Sequence, residues 1–340
     1  MLRGTRSTIV IALTGASAAC ASIPDPPAPV GAPARPVIAS RGSPAPPTLD
    51  LPPATAVAAP LPALPLEVAV RPARPRQASV VSVHVIEPPG PALERPSATL
   101  AGVPVSLTRD GRGWIGLAAL PLDSAGVLVL ELAGSRDGRT VLVRRAISVQ
   151  PRTYPSTRIR ISAGGAGDPE VDARIARERE LIQSRLRSSE ARWYPTGPFD
   201  WPRPAVRTSP FGQRRVFNGS IQSRHLGLDL RGRRGEPTYA AAAGRILLAG
   251  SFYYQGNAVY VDHGLGLVTA YFHFSSIEVE EGQLVETGQL LGRVGSTGRS
   301  TAPHLHWSAY VDGVNVDPES LIGFHLGDAP RAADVEARQP

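Results

Sequence analysis

Ser223-Arg224-His225-Leu226-Gly227-Leu228-Asp229-Leu230 is answered further along the chain by His304-Leu305-His306-Trp307. In the first stretch Leu226, Leu228 and Leu230 alternate with His225, Gly227 and Asp229. A period of two predicts a strand with one apolar and one polar face. His225 and Asp229 then point the same way, and Gly227 between them leaves room for close approach to the backbone. In the second stretch His304 and His306 share one side of a strand and Leu305 takes the other. Two histidines and one carboxylate form a donor set for catalytic zinc, with a fourth position left for water. Bonds of about 2.0–2.2 Å require the two strands to be adjacent and in register. A lone histidine on a strand is ordinarily a surface residue. Here four of the seven histidines, His225, His273, His304 and His306, fall where one site would use them.

Zinc lowers the pKa of water towards about 7 and polarises a carbonyl. Amide hydrolysis then needs a proton acceptor and a group that steadies the oxyanion. His304 lies one strand step from His306. His273, in Tyr271-Phe272-His273-Phe274-Ser275, sits among aromatics on another strand pattern. With an ordinary pKa near 6.5, either suits proton transfer at neutral pH. Spacing leaves open which of His304 and His306 binds the metal.

Outward from this pair, residues 198–322 read as one mainly β domain of short strands and glycines: Ala240–Leu248, Asn257–Asp262, Leu267–Phe274, Gln289–Val294 and Pro303–Tyr310. Residues 323–340 are polar and Ala-rich and are expected to fray, with no role for His325. Upstream, Asp168-Pro169 is a helix start, and Val171, Ile175, Ile182 and Leu186 form one stripe. Residues 168–192 are therefore expected to be a charged connector helix. From 78 to 162 alternating runs flank Asp110-Gly111 and Asp137-Gly138, hairpin signals that suggest a small immunoglobulin-like β-sandwich. His84 reads there as a solvated strand residue. Residues 20–77 are Pro- and Ala-rich and read as an extended, disordered spacer.

The first 19 residues read as an export signal, with Arg3 and Arg6 before the short apolar core Thr8–Ala19. Ser17-Ala18-Ala19-Cys20-Ala21 resembles the lipobox of bacterial lipoproteins, except that Ser17 stands where Leu, Val or Ile is usual. Cys20 is the only cysteine, so no intramolecular disulfide can form. An acyl anchor at Cys20 would tether the chain to a membrane, and Ala21 after it suggests the periplasmic face of the outer membrane. Plain secretion with cleavage after Ala21 is the alternative. Asn218-Gly219-Ser220 fits a glycosylation acceptor pattern and is read as chance in an exported bacterial chain.

All 36 basic residues are arginine, against 29 acidic ones, giving +7 and a pI near 10.1. That balance favours anionic partners such as a cell-wall polymer, or reflects arginine-rich codon usage. Nucleic acid is excluded as a partner by export and by the lack of an interleaved aromatic–basic motif. The stretch Glu281–Gln289 has the rhythm of a biotinyl or lipoyl carrier, but those modify a lysine and this chain has none.

Residues 209–318 resemble the catalytic domain of the lysostaphin-like (LytM-type) zinc endopeptidases, which cut peptide cross-links of bacterial peptidoglycan. The resemblance runs through Ser209–Arg215, His225–Asp229, Gly235–Ala240, Ala243–Arg245, Gly256-Asn257, Asp262–Gly264, Thr269–His273, Gly295–Ser300 and Pro303–His306. It implies an antiparallel β-sheet groove with a single zinc on its floor, held by His225, Asp229 and His306. It implies His304 as general base and His273 as its partner at the water or the oxyanion. It makes His263 structural, and Phe252, Tyr253 and Tyr254 part of a groove wall. Ala302 stands where glycine is usual, and Ser308 where the family often has glutamate, which touches the hydrogen bonding behind the site. Members that lack metal ligands act instead as activators of cell-wall amidases, and in this chain all five positions are filled.

Overall fold

The computed structural model describes residues 66–111, 113–159, 168–217 and 220–326. The expected export signal, Cys20 and most of the spacer lie outside these residues, as does the tail from 327. Among the described residues no helix is long and apolar enough to cross a membrane.

Two four-stranded sheets form the first layer pair. One pairs Glu67–Arg71, Val80–Ile86, Gly113–Ala119 and Leu107–Asp110; the other pairs Val103–Val105, Glu94–Leu100, Gly126–Arg136 and Arg139–Val149. Asp137 and Gly138 turn the long hairpin with φ of 51° and 68°, the left-handed pair that an Asp-Gly hairpin needs. Val81, Val83, Val85, Leu100, Leu130, Leu132 and Ile147 fill the space between the sheets.

Two expectations fail in this region. The strand Glu67–Arg71 lies inside the stretch read as spacer. Leu66, Val68 and Val70 alternate and are buried, a short signal overshadowed by the prolines on both sides. His84, read as solvated, is 2 % exposed. Val80–Ile86 is covered on both faces, because Val80, Ile115, Leu117 and Ala119 turn away from the sandwich core into the core of the second domain. Ser82 and His84 share that outward face, and they hydrogen-bond each other at 3.0 Å. Burial lowers the His84 pKa, helped by the charge of Arg71. An Arg152–Asp317 ion pair and a Ser106–Asp312 hydrogen bond tie the same two domains.

The helix runs over Pro169–Leu186, and the Asp168 side chain accepts from the Glu170 N–H at 2.9 Å. It stops short of 192. Ile182 and Leu186 pack on Leu248, Phe252, Tyr260 and Phe272 of the second domain.

That domain is built on an eight-stranded antiparallel sheet. Its central run is Arg207–Ser209, Leu228–Arg231, His304–Val311, Leu267–Phe274, Gly256–Gly264 and Gly244–Phe252. The pleat sorts residues to two faces. Leu228, Leu230, Tyr271, Leu305 and Trp307 enter the core shared with the sandwich. Asp229, Phe272 and His306 take the opposite face, where Asp229 and Phe272 each pair with His306 in register. The tail remains ordered further than expected: Phe324 packs against Phe199 and Trp193, and backbone hydrogen bonds link 323 and 324 to Phe199.

Candidate metal centre and active site

Strand pairing sets the floor of the site. Asp229 lies opposite His306, and Arg231 opposite His304. His225 arrives differently from the sequence reading. The strand begins only at Leu228, and His225 lies in the bend that follows Ser220–Arg224. Its backbone is held by the turn before it: the His225 N–H donates to Gln213 O at 2.9 Å, and the Gly212 N–H donates to His225 O at 2.7 Å. The bend still points His225 at Asp229. Gly227 is required within it, since any Cβ there would overlap the His306 ring and crowd the Ser308 hydroxyl.

Three donor atoms converge. His225 Nε2 is 3.1 Å from Asp229 Oδ1 and 3.1 Å from His306 Nδ1, and His306 Nδ1 is 2.9 Å from Asp229 Oδ1. His225, Asp229 and His306 are the group among the described residues whose ligand atoms lie close enough to hold one metal ion. His304 Nε2 stands just outside, 3.5 Å from Asp229 Oδ1.

The other nitrogen of each imidazole fixes its tautomer. His225 Nδ1 donates to Pro210 O at 3.0 Å. His306 Nε2 meets Ser308 Oγ at 2.9 Å, and that hydroxyl donates to Leu226 O at 3.0 Å, so Ser308 is left to accept from His306. His225 Nε2 and His306 Nδ1 therefore present lone pairs to each other and to a carboxylate. Three electron-rich atoms about 3 Å apart repel unless a cation lies among them. The arrangement fits a metal ion with nitrogen and oxygen ligands.

Charge states agree with this reading. Burial by itself would raise the Asp229 carboxyl, but the adjacent His225 and His306 imidazoles outweigh it and hold it well below the usual carboxylate range. Burial lowers His306 despite the neighbouring Asp229. Burial, with the adjacent His306, lowers His273 to about 4, so this imidazole is neutral at pH 7.

The two remaining histidines flank the centre. His304 Nδ1 donates to Ala302 O at 2.8 Å, leaving Nε2 towards Asp229. His273 Nδ1 donates to Thr297 O at 2.8 Å, and its ring centroid is 4.9 Å from that of His304. His273 has φ of +67°, a left-handed backbone that is costly for a residue with a side chain. It turns the ring into the site at the end of its strand. Phe272 stacks on His306 at 5.1 Å and 6°, backing the ring. Sequence reasoning named all five polar side chains. It did not find the carbonyls of Pro210, Ala302 and Thr297, which carry no residue-type signal, nor the stacking role of Phe272.

Around the site, Tyr253 and Tyr254 stand at the tip of the Gly244–Phe252 and Gly256–Gly264 hairpin, 5.1 Å apart. The Arg299 N–H donates to Tyr254 O, joining the 295–303 loop to that tip. Phe252, expected beside them in the wall, is buried against Tyr260 in the core. His263 is fully buried with both ring nitrogens engaged, by Ala243 O at 2.8 Å and Thr269 Oγ1 at 2.7 Å.

Residues 223–318 match the model of peptidase family M23. The crystal structure of a protein from Pseudomonas aeruginosa described as a peptidase M23 aligns over 74 % of this chain and 96 % of its own, at 30 % identity and a TM-score of 0.55. The chain belongs to peptidase family M23. Among curated relatives, the M23 chain is 41 % identical over 134 residues to the DD-carboxypeptidase/endopeptidase Mpg of Neisseria meningitidis. It is 40 % identical over 89 residues to the peptidoglycan DD-endopeptidase ShyA of Vibrio cholerae. These matches cover 39 % and 26 % of this chain and 31 % and 21 % of the relatives, so the chain spans a third or less of their length. Each of His225, Asp229, His273, His304 and His306 falls inside the matched M23 segment.

Proposed function

We propose that the chain is a zinc endopeptidase that hydrolyses peptide cross-links of bacterial peptidoglycan. The observation that carries the reading is the meeting of two imidazole lone pairs and one carboxylate within about 3 Å, beside two further imidazoles that each keep one nitrogen uncommitted. The substrate class comes from the named activities of the Mpg and ShyA relatives.

His225, Asp229 and His306 would hold the zinc ion. Bound there, zinc would supply Lewis acidity, lowering the pKa of water towards about 7 and polarising the scissile carbonyl. The protein's own residues do the proton work. His304 Nε2 is free to accept a proton from the attacking water, because Nδ1 is committed to Ala302 O. His273 is fixed in the same sense by Thr297 O, so its neutral ring is an acceptor that orients water. Once protonated, either ring becomes a donor, to the oxyanion or to the departing amine. Phe272 stacks on the His306 ring and backs it.

Such an enzyme acts outside the cytoplasm, which agrees with the export signal read in residues 1–19 and with anchoring at Cys20. Digestion of purified peptidoglycan, with mass identification of the released fragments, tests the reading. New free amino ends at peptide cross-links support it. Unchanged peptidoglycan, with no zinc held by the protein, would favour the role of amidase activator instead.

A further inference from the structure

The segments around the groove are nearly free of acid. From 203 to 235 the chain carries eight arginines and a single acidic residue, Asp229. From 295 to 311 it carries Arg299 and no acid. Asp229 is already engaged by His225 and His306. Three of the arginines are neutralised: Arg203 pairs with Glu236, Arg207 with Glu319, and Arg224 with Asp123.

Arg231 is exposed and forms no ion pair among the described residues. Its place is specific. It follows Asp229 by two residues on the same strand and stands directly opposite His304. It therefore shares the face that carries Asp229 and His304, about 7 Å along the strand from the carboxylate. The loop after it is braced beside His304. The Gly235 N–H donates to Val294 O and the Val294 N–H to Glu236 O, both at 2.8 Å, and Gly295 bridges to His304. An uncommitted guanidinium in line with the reacting groups, and without a competing acid, suits a planar carboxylate.

We propose that Arg231 binds a free carboxylate of the substrate peptide next to the scissile amide, so that the site selects anionic cross-links over amidated ones. This rests on the endopeptidase reading above. The remaining arginines around the groove draw such a substrate in by their field.

The test uses two synthetic cross-linked peptides that differ only in a carboxylate or a carboxamide beside the scissile bond. The wild-type protein is expected to favour the acid by about 10- to 100-fold in kcat/KM, the size of one charge-assisted contact, with the difference in KM. Arg231→Gln removes that preference by lowering activity on the acid alone, with zinc content unchanged. Arg231→Lys keeps part of it, having the charge without the fork. Equal use of both peptides by the wild type, or an equal loss on both in Arg231→Gln, overturns the proposal and leaves the endopeptidase reading standing. If the wild type cleaves neither peptide, the endopeptidase reading falls. Calorimetric binding of the two peptides then still decides whether Arg231 discriminates between them.

Discussion

One sheet presents histidines of two kinds on its two faces. On the closed side His263 has both nitrogens satisfied, by Ala243 O and Thr269 Oγ1, inside a core that reaches Phe199 and Tyr271. On the open side His225, His304 and His306 each have one nitrogen fixed and the other directed at Asp229. Both kinds are shielded from solvent to a large degree, so burial does not separate them. Two fixed partners suit a structural role for His263, whereas a single fixed partner and a shared target suit the metal and proton roles proposed above.

The comparison would break first at the donors. His225→Ala or Asp229→Ala is expected to lose both bound zinc and hydrolysis, read by metal analysis and by peptidoglycan digestion. Full activity in either variant would refute the metal assignment. His304→Ala sharpens the contrast within the open face. Zinc stays while turnover falls about 10²- to 10⁴-fold, the range for a missing general base. Loss of zinc as well would show that His304 and His306 have exchanged roles. Ser308→Ala removes the group that accepts from His306 and ties it to Leu226 O. Zinc affinity is expected to weaken about 10- to 100-fold, as measured by chelator competition, with the fold retained.

The smallest effect belongs to the closed face. Burial lowers His263 to about 4, below its unfolded value near 6.5. A depressed folded pKa means that the unfolded chain binds the proton first. This stability contribution is therefore complete above pH 6.5 and is lost as pH falls towards 4, up to on the order of 3 kcal/mol. Urea titrations at pH 7 and pH 4.5 should show a shallower pH dependence in His263→Gln than in the wild type. Equal slopes would mean that His263 is not held neutral.

Much of the site could be read from the chain because it obeys the simplest strand rule. His304 and His306 are two apart, so they share a face, and one carboxylate on the neighbouring strand completes the set. The same rule could not rank them, since two residues on one face are equivalent until tautomers are fixed by Ala302 O and Ser308 Oγ. It also overreached at His225, whose alternation with the leucines continues through a bend. His84 misled for a related reason. A polar residue at the outward step of a sandwich strand is solvated only if nothing covers the sheet, and the cover comes from a domain more than a hundred residues away. The strand Glu67–Arg71 was hidden by prolines, and the docking of Phe324 by its place in a polar tail. The left-handed turn at His273 has no glycine to announce it.

Val80, Ile115, Leu117 and Ala119 pack into the same core as Leu228, Leu305 and Trp307, on the face of the sheet opposite Asp229 and His306. The reverse of the sheet that carries the candidate site is thus roofed by the sandwich. A fragment cut free of its roof would expose a greasy plate and is expected to precipitate.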